Sequence, residues 1–212
     1  FLVQTPHYFI NPDPLERNLG TYDRMPSEYE MFYNVVQHGL DFWNSSFFCG
    51  SAALLRRKHL DEIGGIAGDT ITEDAETAMT LHGLGYNSVY YGKPMVAGLQ
   101  PETFSSFIVQ RTRWAQGMVQ IFLLKNSWKQ PKMKLSQRLA YTSSVFFWFF
   151  PFARMFFFLA PALYLLFSLK IVDAVIPADV VAYAVPHMIG AVLLSNILYG
   201  RTRWPFISEL YE

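Results

Sequence analysis

Acidic residues are missing from one long stretch of this chain. Between Thr103 and Val172 there is no Asp or Glu, against nine Lys or Arg. Cysteine is almost absent as well. The single Cys49 excludes an internal disulfide framework and fits a reducing compartment. No Cys-x-x-Cys, His-Glu-x-x-His or phosphate-binding glycine loop occurs, so the sequence offers no metal site in this window. No internal repeat or low-complexity run is found. The formal net charge is zero, so no polyanionic partner is implied for the whole chain. Its local basic bias sits beside a long apolar run, which suits lipid head groups better than nucleic acid. There is no initiator Met at Phe1 and no signal peptide, so the chain reads as an internal fragment of a longer protein.

What is present is aromatic and apolar. Aromatic residues make up 17% of the chain, with 19 Phe, high for a soluble enzyme. Composition divides the sequence at residues 1–102, which are mixed, 103–138, which are basic and amphipathic, 139–200, which are mostly apolar, and 201–212. In the first part, Phe1–Thr5 reads as a strand and Asn11–Pro14 as a loop. Met31–Leu40 reads as a helix, and Phe47–Leu55 as a buried strand interrupted by glycine. Gly64–Gly68 reads as a flexible loop before a helix. Thr70 with Glu73 fits a capping box, with Thr72 a competing N-cap. Ala75, Ala78, Met79 and His82 share one face of that helix, Gly83 and Gly85 end it, and Ser88–Tyr91 follows as a strand. A helix feeding a strand indicates an α/β layer.

Phe104, Phe107, Ile108, Trp114, Met118, Ile121 and Phe122 have amphipathic helical spacing, with Arg and Lys on the polar side suited to a membrane surface. Lys125, Lys129, Lys132, Lys134 and Arg138 then precede the apolar run, as on a cytoplasmic flank. Leu139–Leu169 exceeds the roughly 20 residues that one span needs, and reads as an interfacial lead-in and a span. Ala174–Tyr199 offers a second span, closed by Arg201 and Arg203. The simplest arrangement is a hairpin whose turn near Lys170–Asp179 faces away from the cytoplasm. Arg154 and His187 inside it should face protein or a wet cavity.

Two motifs could carry chemistry. Thr72-Glu73-Asp74 puts carboxylates at a helix start, where amides and the helix dipole favour the ionised form, able to accept a proton. Ordinary helix capping selects the same residues. In Gln110-Arg111-Thr112-Arg113-Trp114, residues Gln110, Arg113, Trp114 and Gly117 share one face. A guanidinium can clamp a diphosphate, and an indole can carry a sugar ring. Gly117 would admit a close approach. The alternative is an interfacial helix anchored by Trp, with snorkelling Arg. Phe47-Phe48-Cys49-Gly50-Ser51 reads as a buried strand with an unactivated thiol. His7 in Gln4-Thr5-Pro6-His7 reads as structural.

Taken in order, Gln4-Thr5-Pro6-His7, Phe47-Phe48-Cys49-Gly50-Ser51, Thr72-Glu73-Asp74 and Gln110-Arg111-Thr112-Arg113-Trp114 resemble the successive motifs of bacterial cellulose synthase catalytic subunits, processive family 2 glycosyltransferases. The last two match that family's TED and Q(Q/R)xRW patterns. The resemblance covers essentially the whole chain. It implies the acceptor half of an α/β GT-A-type domain on the cytoplasmic face of the bacterial inner membrane, followed by interfacial and transmembrane helices forming a glucan channel. It further implies inverting transfer of glucose from UDP-glucose to the 4-hydroxyl of a β-1,4-glucan. Asp74 would be the general base, with Glu73 and Thr72 positioning it. Gln110 and Arg113 would contact the diphosphate, and Trp114 would stack on the acceptor. Cys49, Phe47, His7 and, more weakly, Phe32 and Tyr33 would line the acceptor pocket. Mg²⁺ ligands are expected upstream of Phe1, and a cyclic di-GMP-binding activator domain downstream of Glu212. A periplasmic companion subunit is the implied recipient of the glucan, and the isolated fragment is expected to be inactive.

A related synthase of chitin, hyaluronan or a mannan is the neighbouring reading. A non-catalytic transporter or scaffold is the reading from another class, and a nucleic-acid binder ranks last. The enzymatic reading requires the acidic helix start and the Arg–Trp helix face to meet across one cleft.

Overall fold

Strand β1 (Leu2–Gln4) alternates buried Leu2, exposed Val3 and buried Gln4, the period of a strand with one covered face. The computed structural model describes residues 1–169 and 177–199. After β2 (His7–Phe9), α1 (Pro14–Leu19) is started by Asp13, whose carboxylate accepts from the amides of Leu15 and Glu16. Glu16 completes a capping box by accepting from the Asp13 amide. α2 (Glu28–Met31), begun by Ser27, runs through a π-helical stretch at Phe32–Val36 into α3 (Gln37–Phe42). Then come β3 (Ala53–Leu55), α4 (Arg57–Glu62), α5 (Glu73–Gly83), β4 (Ser88–Tyr90) and β5 (Val96–Gly98). α6 (Phe104–Gln120) follows and passes into a π-helical stretch at Ile121–Lys125.

The strands form two small sheets. In one, β1 lies between β3, antiparallel, and β4, parallel, with Val3 opposite Leu54 and Val89. In the other, β2 pairs in parallel with β5. The architecture is therefore mixed α/β. α5 is the core helix: Ala78, Met79, Leu81 and His82 are each 0% exposed. Burial of Met79 and Leu81 contributes about 1.5–3 kcal/mol apiece relative to exposure. The predicted buried face of α5 is thus observed, and Gly83 ends the helix, with Gly85 at φ +91 beyond it.

Three local expectations are corrected. The predicted helix over 31–40 begins earlier, at Glu28. The predicted strand over 47–55 reduces to Ala53–Leu55, because Gly50 at φ +80 and Ala52 at φ +54 turn the chain out of the extended region. That turn is pinned from β1. The Gln4 amide nitrogen donates to the carbonyls of Thr5 and Ser51 at 2.8 and 3.0 Å, and its oxygen accepts from the Cys49 amide at 3.0 Å. The Thr5 hydroxyl and amide both donate to the Ala52 carbonyl. Finally, the Thr70–Glu73 capping box does not form. Thr72 occupies the N-cap position, yet its side chain caps nothing, and the Thr70 amide donates instead to Glu76 at 2.9 Å.

Contacts divide the chain into two compact units, the first ending at Trp148 and the second beginning at Phe149. α7 (Leu135–Phe146) belongs to the first. Its Tyr141 hydroxyl meets His82 Nδ1 at 2.8 Å, while His82 Nε2 meets the Ser88 hydroxyl at 2.9 Å. Burial pushes the His82 imidazole down to about 3, so it stays neutral and joins α5, β4 and α7. Gln137 adds a bond to the Asn44 carbonyl.

Two of the five basic residues predicted to flank a membrane also bond within the protein. Lys125 pairs with Asp69 and with buried Glu76, and Arg138 donates to the carbonyls of Trp128, Gln130 and Met133. Lys129, Lys132 and Lys134 are exposed.

The second unit contains α8 (Phe150–Phe167), with Pro161 inside it and the Arg154 guanidinium over the Phe150 ring. After the short α9 (Pro177–Asp179), a π-helical stretch at Val180–Ala184 leads into α10 (Val185–Tyr199). Leu135–Phe167 and Pro177–Leu194 are long and apolar enough to cross a bilayer, on length and composition alone. The predicted turn at 170–176 and the basic end at Arg201 and Arg203 lie outside the described residues.

His82→Leu should expose the importance of that junction. It strands the Tyr141 and Ser88 hydroxyls in a buried site, at about 1–3 kcal/mol each. A drop of that size in unfolding free energy by denaturant titration is expected, with an unchanged value counting against the junction.

Candidate active site

The site begins with a missing side chain. A Cβ built on Gly117 of α6 would lie 2.5 Å from Thr72 Cγ2, 2.6 Å from its Oγ1 and 2.7 Å from its backbone nitrogen. Only glycine allows α6 to press this closely on the start of α5. The close approach anticipated at Gly117 is therefore made by the protein's own Thr72. Gln120, one turn on, accepts from the Ile71 amide at 2.9 Å and fixes the same junction. Thr72 Oγ1 is left buried without a hydrogen-bond partner.

Helical spacing then carries Ser106, Val109, Gln110, Arg113 and Trp114 along the α6 wall of a cleft of about 700 Å³. Thr72, Glu73 and Asp74 at the start of α5, with Cys49 and Gly50 from the pinned turn, line the same cleft. Gly50 admits Asp74 closely: a Cβ there would stand 3.3 Å from Asp74 Oδ2.

Two opposing influences act on Asp74. Its Oδ1 accepts from the Ala75 amide at 2.7 Å, which favours the ionised form. Burial works the other way and is larger, and the adjacent Glu73 charge adds to it, so the Asp74 carboxyl is pushed up to about 6. The amide at the helix start thus favours the ionised form as expected, but burial outweighs it. At neutral pH the carboxyl remains ionised, but as a far better proton acceptor than an ordinary aspartate. Glu73 is exposed. Arg113 is exposed too, and enters no ion pair among the described residues.

Trp114 is half-buried. Its ring meets Tyr29 edge-on at 6.2 Å and Trp148 edge-on at 6.4 Å. Gln110 accepts from the Tyr29 hydroxyl at 3.3 Å. Behind Cys49, the Gln37 amide donates to the thiol at 3.1 Å, and the thiol donates weakly to the Phe47 carbonyl. Burial, reinforced by the Asp74 charge, raises the Cys49 thiol well above its ordinary value. It is thus a protonated polar group and no nucleophile.

Residues 1–196 match the family described as Glycosyl transferase family group 2. The chain belongs to that family. It is 45% identical over 211 residues to the UDP-forming cellulose synthase catalytic subunit of Pseudomonas fluorescens (strain SBW25), covering all of this chain and 28% of that protein. It is 44% identical to the UDP-forming cellulose synthase 1 catalytic subunit of Komagataeibacter xylinus, with the same coverage. Against Cellulose synthase 1 of Novacetimonas hansenii the identity is 43%, covering all of this chain and 14% of the relative. The chain thus spans between about a seventh and somewhat over a quarter of these relatives' length.

In this family 2 glycosyltransferase chain, seven of the residues singled out from sequence share the cleft: Cys49, Thr72, Glu73, Asp74, Gln110, Arg113 and Trp114. Four do not line it. His7 is held between Tyr33, at 2.9 Å on Nδ1, and the Ser51 hydroxyl and carbonyl on Nε2. Its imidazole is lowered by burial, although the Ser51 carbonyl works against that. Burial raises the Tyr33 hydroxyl. Phe47 packs between Phe32 and Tyr141, each ring 6.1 Å away. These residues support the Cys49 turn and the π-helical stretch from behind. Gln37, Tyr29, Glu28 and Gln120 were not anticipated, because each acts through a contact distant in sequence. The Asp13–Glu16 capping box was readable and passed over.

Among the described residues no grouping of three or more His, Cys, Asp or Glu could hold a metal ion.

Gly117→Ala should lower the unfolding free energy by about 1–3 kcal/mol, since the added methyl overpacks the junction. Adding Thr72→Ala should recover only part of the loss, because the backbone nitrogen at 2.7 Å remains in the way. Full recovery would show that side-chain crowding alone limits the contact. Thermal or denaturant unfolding of the two variants distinguishes these outcomes.

Proposed function

We propose that this chain is the acceptor-side, C-terminal part of a GT-A-type domain, with its following membrane segment, in a processive inverting cellulose synthase. The enzyme transfers glucose from UDP-glucose to the 4-hydroxyl of a growing β-1,4-glucan and passes the polymer into a membrane channel. The observation that carries this reading is the meeting of a half-buried, proton-accepting Asp74 with Arg113 and Trp114 in one cleft.

In this mechanism Asp74 takes the proton from the acceptor 4-hydroxyl as that oxygen attacks C1 of the donor glucose. The bond from C1 to the diphosphate oxygen breaks on the opposite side. The anomeric configuration inverts, and UDP leaves with the bonding electrons. Arg113 and Gln110 stabilise the negative charge growing on the diphosphate, an effect largest in the transition state. Trp114 offers a flat apolar platform to the terminal sugar, and the Cys49 thiol and Thr72 hydroxyl supply neutral polar contacts. Neutral, broad contacts suit a polymer that must advance after every addition.

The family's Mg²⁺ would assist the donor diphosphate from ligands beyond these residues, and no step above passes through it. Activation by cyclic di-GMP belongs to a domain beyond this chain. The apolar helices favour a bacterial inner-membrane location with the glycosyltransferase part cytoplasmic, and a periplasmic companion receives the glucan.

Asp74→Asn in the intact enzyme should cut polymer synthesis from UDP-glucose by about 10²–10⁴-fold, the scale of general-base catalysis. Its stability at neutral pH should not fall. Because the folded carboxyl sits above its ordinary value of 3.8, folding disfavours its charge above that pH, and a neutral side chain relieves this. Wild-type kcat should fall as pH drops through about 6. Glu73→Gln removes the neighbouring charge and should move that limb to lower pH. Near-normal synthesis by Asp74→Asn would remove it from the mechanism. Polymer made from UDP-N-acetylglucosamine in place of UDP-glucose would transfer the reading to a chitin or hyaluronan synthase.

A further inference from the structure

The two arginines of Gln110-Arg111-Thr112-Arg113-Trp114 are two residues apart and have opposite surroundings. Arg113 is exposed on the cleft wall, whereas the Arg111 side chain is only 16% exposed and does not line the cleft. Its guanidinium is paired with Glu28: Nη1 donates to Oε1 at 2.8 Å, and Nη2 makes an ion contact with Oε2 at 2.7 Å without hydrogen-bond geometry. The fork matches a carboxylate in a way that an ammonium cannot. The same guanidinium lies over three rings: Phe107 at 4.9 Å, Trp114 at 4.9 Å and Tyr29 at 5.3 Å from the centroids. Its Nε and Nη2 are both buried without a hydrogen-bond acceptor. A cation desolvated this far is held by Glu28 and by the ring faces together, so it has little freedom to move.

Two side chains of this cluster, Arg111 and Tyr29, reach the proposed reaction cleft through Trp114 and Gln110. Tyr29, adjacent to Glu28 in sequence, meets the Trp114 ring edge-on and donates to Gln110. Glu28 opens α2, where Ser27 accepts from the Glu30 amide. Thus α2 and α6 are joined at the one indole that would carry the acceptor.

We propose that Arg111 is a positioning residue, locked by Glu28, that sets the plane of the Trp114 ring as the platform for a sugar chain. The role of Trp114 rests on the cellulose synthase reading, while the clamp itself rests on geometry alone. Arg111 supplies no charge to the diphosphate, because Glu28 neutralises it. Its effect reaches the reaction only through the angle at which the acceptor hydroxyl is presented to Asp74.

The test uses the full-length enzyme in detergent or nanodiscs. Arg111→Lys keeps the charge but loses the fork and the planar stack, and Glu28→Gln keeps the shape but loses the carboxylate. Each should lower kcat by about tenfold, as expected for a misplaced acceptor, with the KM for UDP-glucose within about twofold of wild type. Each should also shorten the polymer. The near-ultraviolet circular dichroism attributable to Trp114, taken as the difference from a Trp114→Phe partner in the same background, should weaken in both variants before any sugar is added. The exchange Glu28→Arg with Arg111→Glu should not restore activity, because a carboxylate cannot stack on the rings.

A raised KM with unchanged kcat would make Arg111 a donor contact and overturn the proposal. Restoration by the exchange would reduce the pair to an ion bridge. An undiminished Trp114 dichroism signal would exclude the positioning role outright. The optical arm needs no substrate, so a failure of the cellulose synthase reading, seen as wild-type enzyme making no polymer from UDP-glucose, remains distinguishable from a failure of the clamp.

Discussion

Helix α6 and the first turn of α5 touch where Gly117 has no side chain, and the geometry of the whole cleft follows from that contact. It brings two segments far apart in sequence within van der Waals distance. The neighbouring Ile71–Gln120 hydrogen bond sets their rotation. Once α6 is seated this way, its 3.6-residue period decides which side chains look into the cleft and which look away. Gln110, Arg113 and Trp114 enter it. Arg111 is sent to the opposite side, against Glu28. The same contact explains why Thr72 fails to cap α5 although it stands in the capping position: its side chain is packed against α6.

Around this junction the charges are sorted by solvation. Asp74 is held away from water without a cationic partner, and its carboxyl rises accordingly. Arg113 stays in water with its charge available, while Arg111 and Lys125 are neutralised by Glu28 and by Asp69 with Glu76. A half-buried carboxylate with no cationic partner is an unfavourable arrangement for stability alone. The rest of the unit supports it quietly: Gln4 and Thr5 hold the turn that carries Cys49 and Gly50, and neutral His82 ties the core helix to α7.

Much of this was readable from local pattern. The apolar face of α5, the glycines that end it, the strand after it and the amphipathic period of α6 are short-range properties, and each reappears in the structure. The failures share one cause. The run from Phe47 to Leu55 has the composition of a buried strand, but tertiary bonds from Gln4 and Thr5 hold Gly50 and Ala52 in a left-handed turn instead. The Thr70–Glu73 spacing fits a capping box, but Glu76 takes the Thr70 amide while Lys125 pairs with it from another element. Lys125, read as part of a membrane flank, is also paired with Asp69 and Glu76, partners distant in sequence.

By itself the sequence determined which chemistry was available. Its ordered motifs offered a carboxylate, a guanidinium and an indole as candidate groups, with apolar segments long enough to span a bilayer, because side-chain type and short-range periodicity are written along the chain. Only the tertiary structure decided how those groups work. Whether a given arginine is free or neutralised, and whether an aspartate is an ordinary acid or a strengthened base, depends on desolvation and on partners many residues away. Both are properties of the packed chain and of no segment within it.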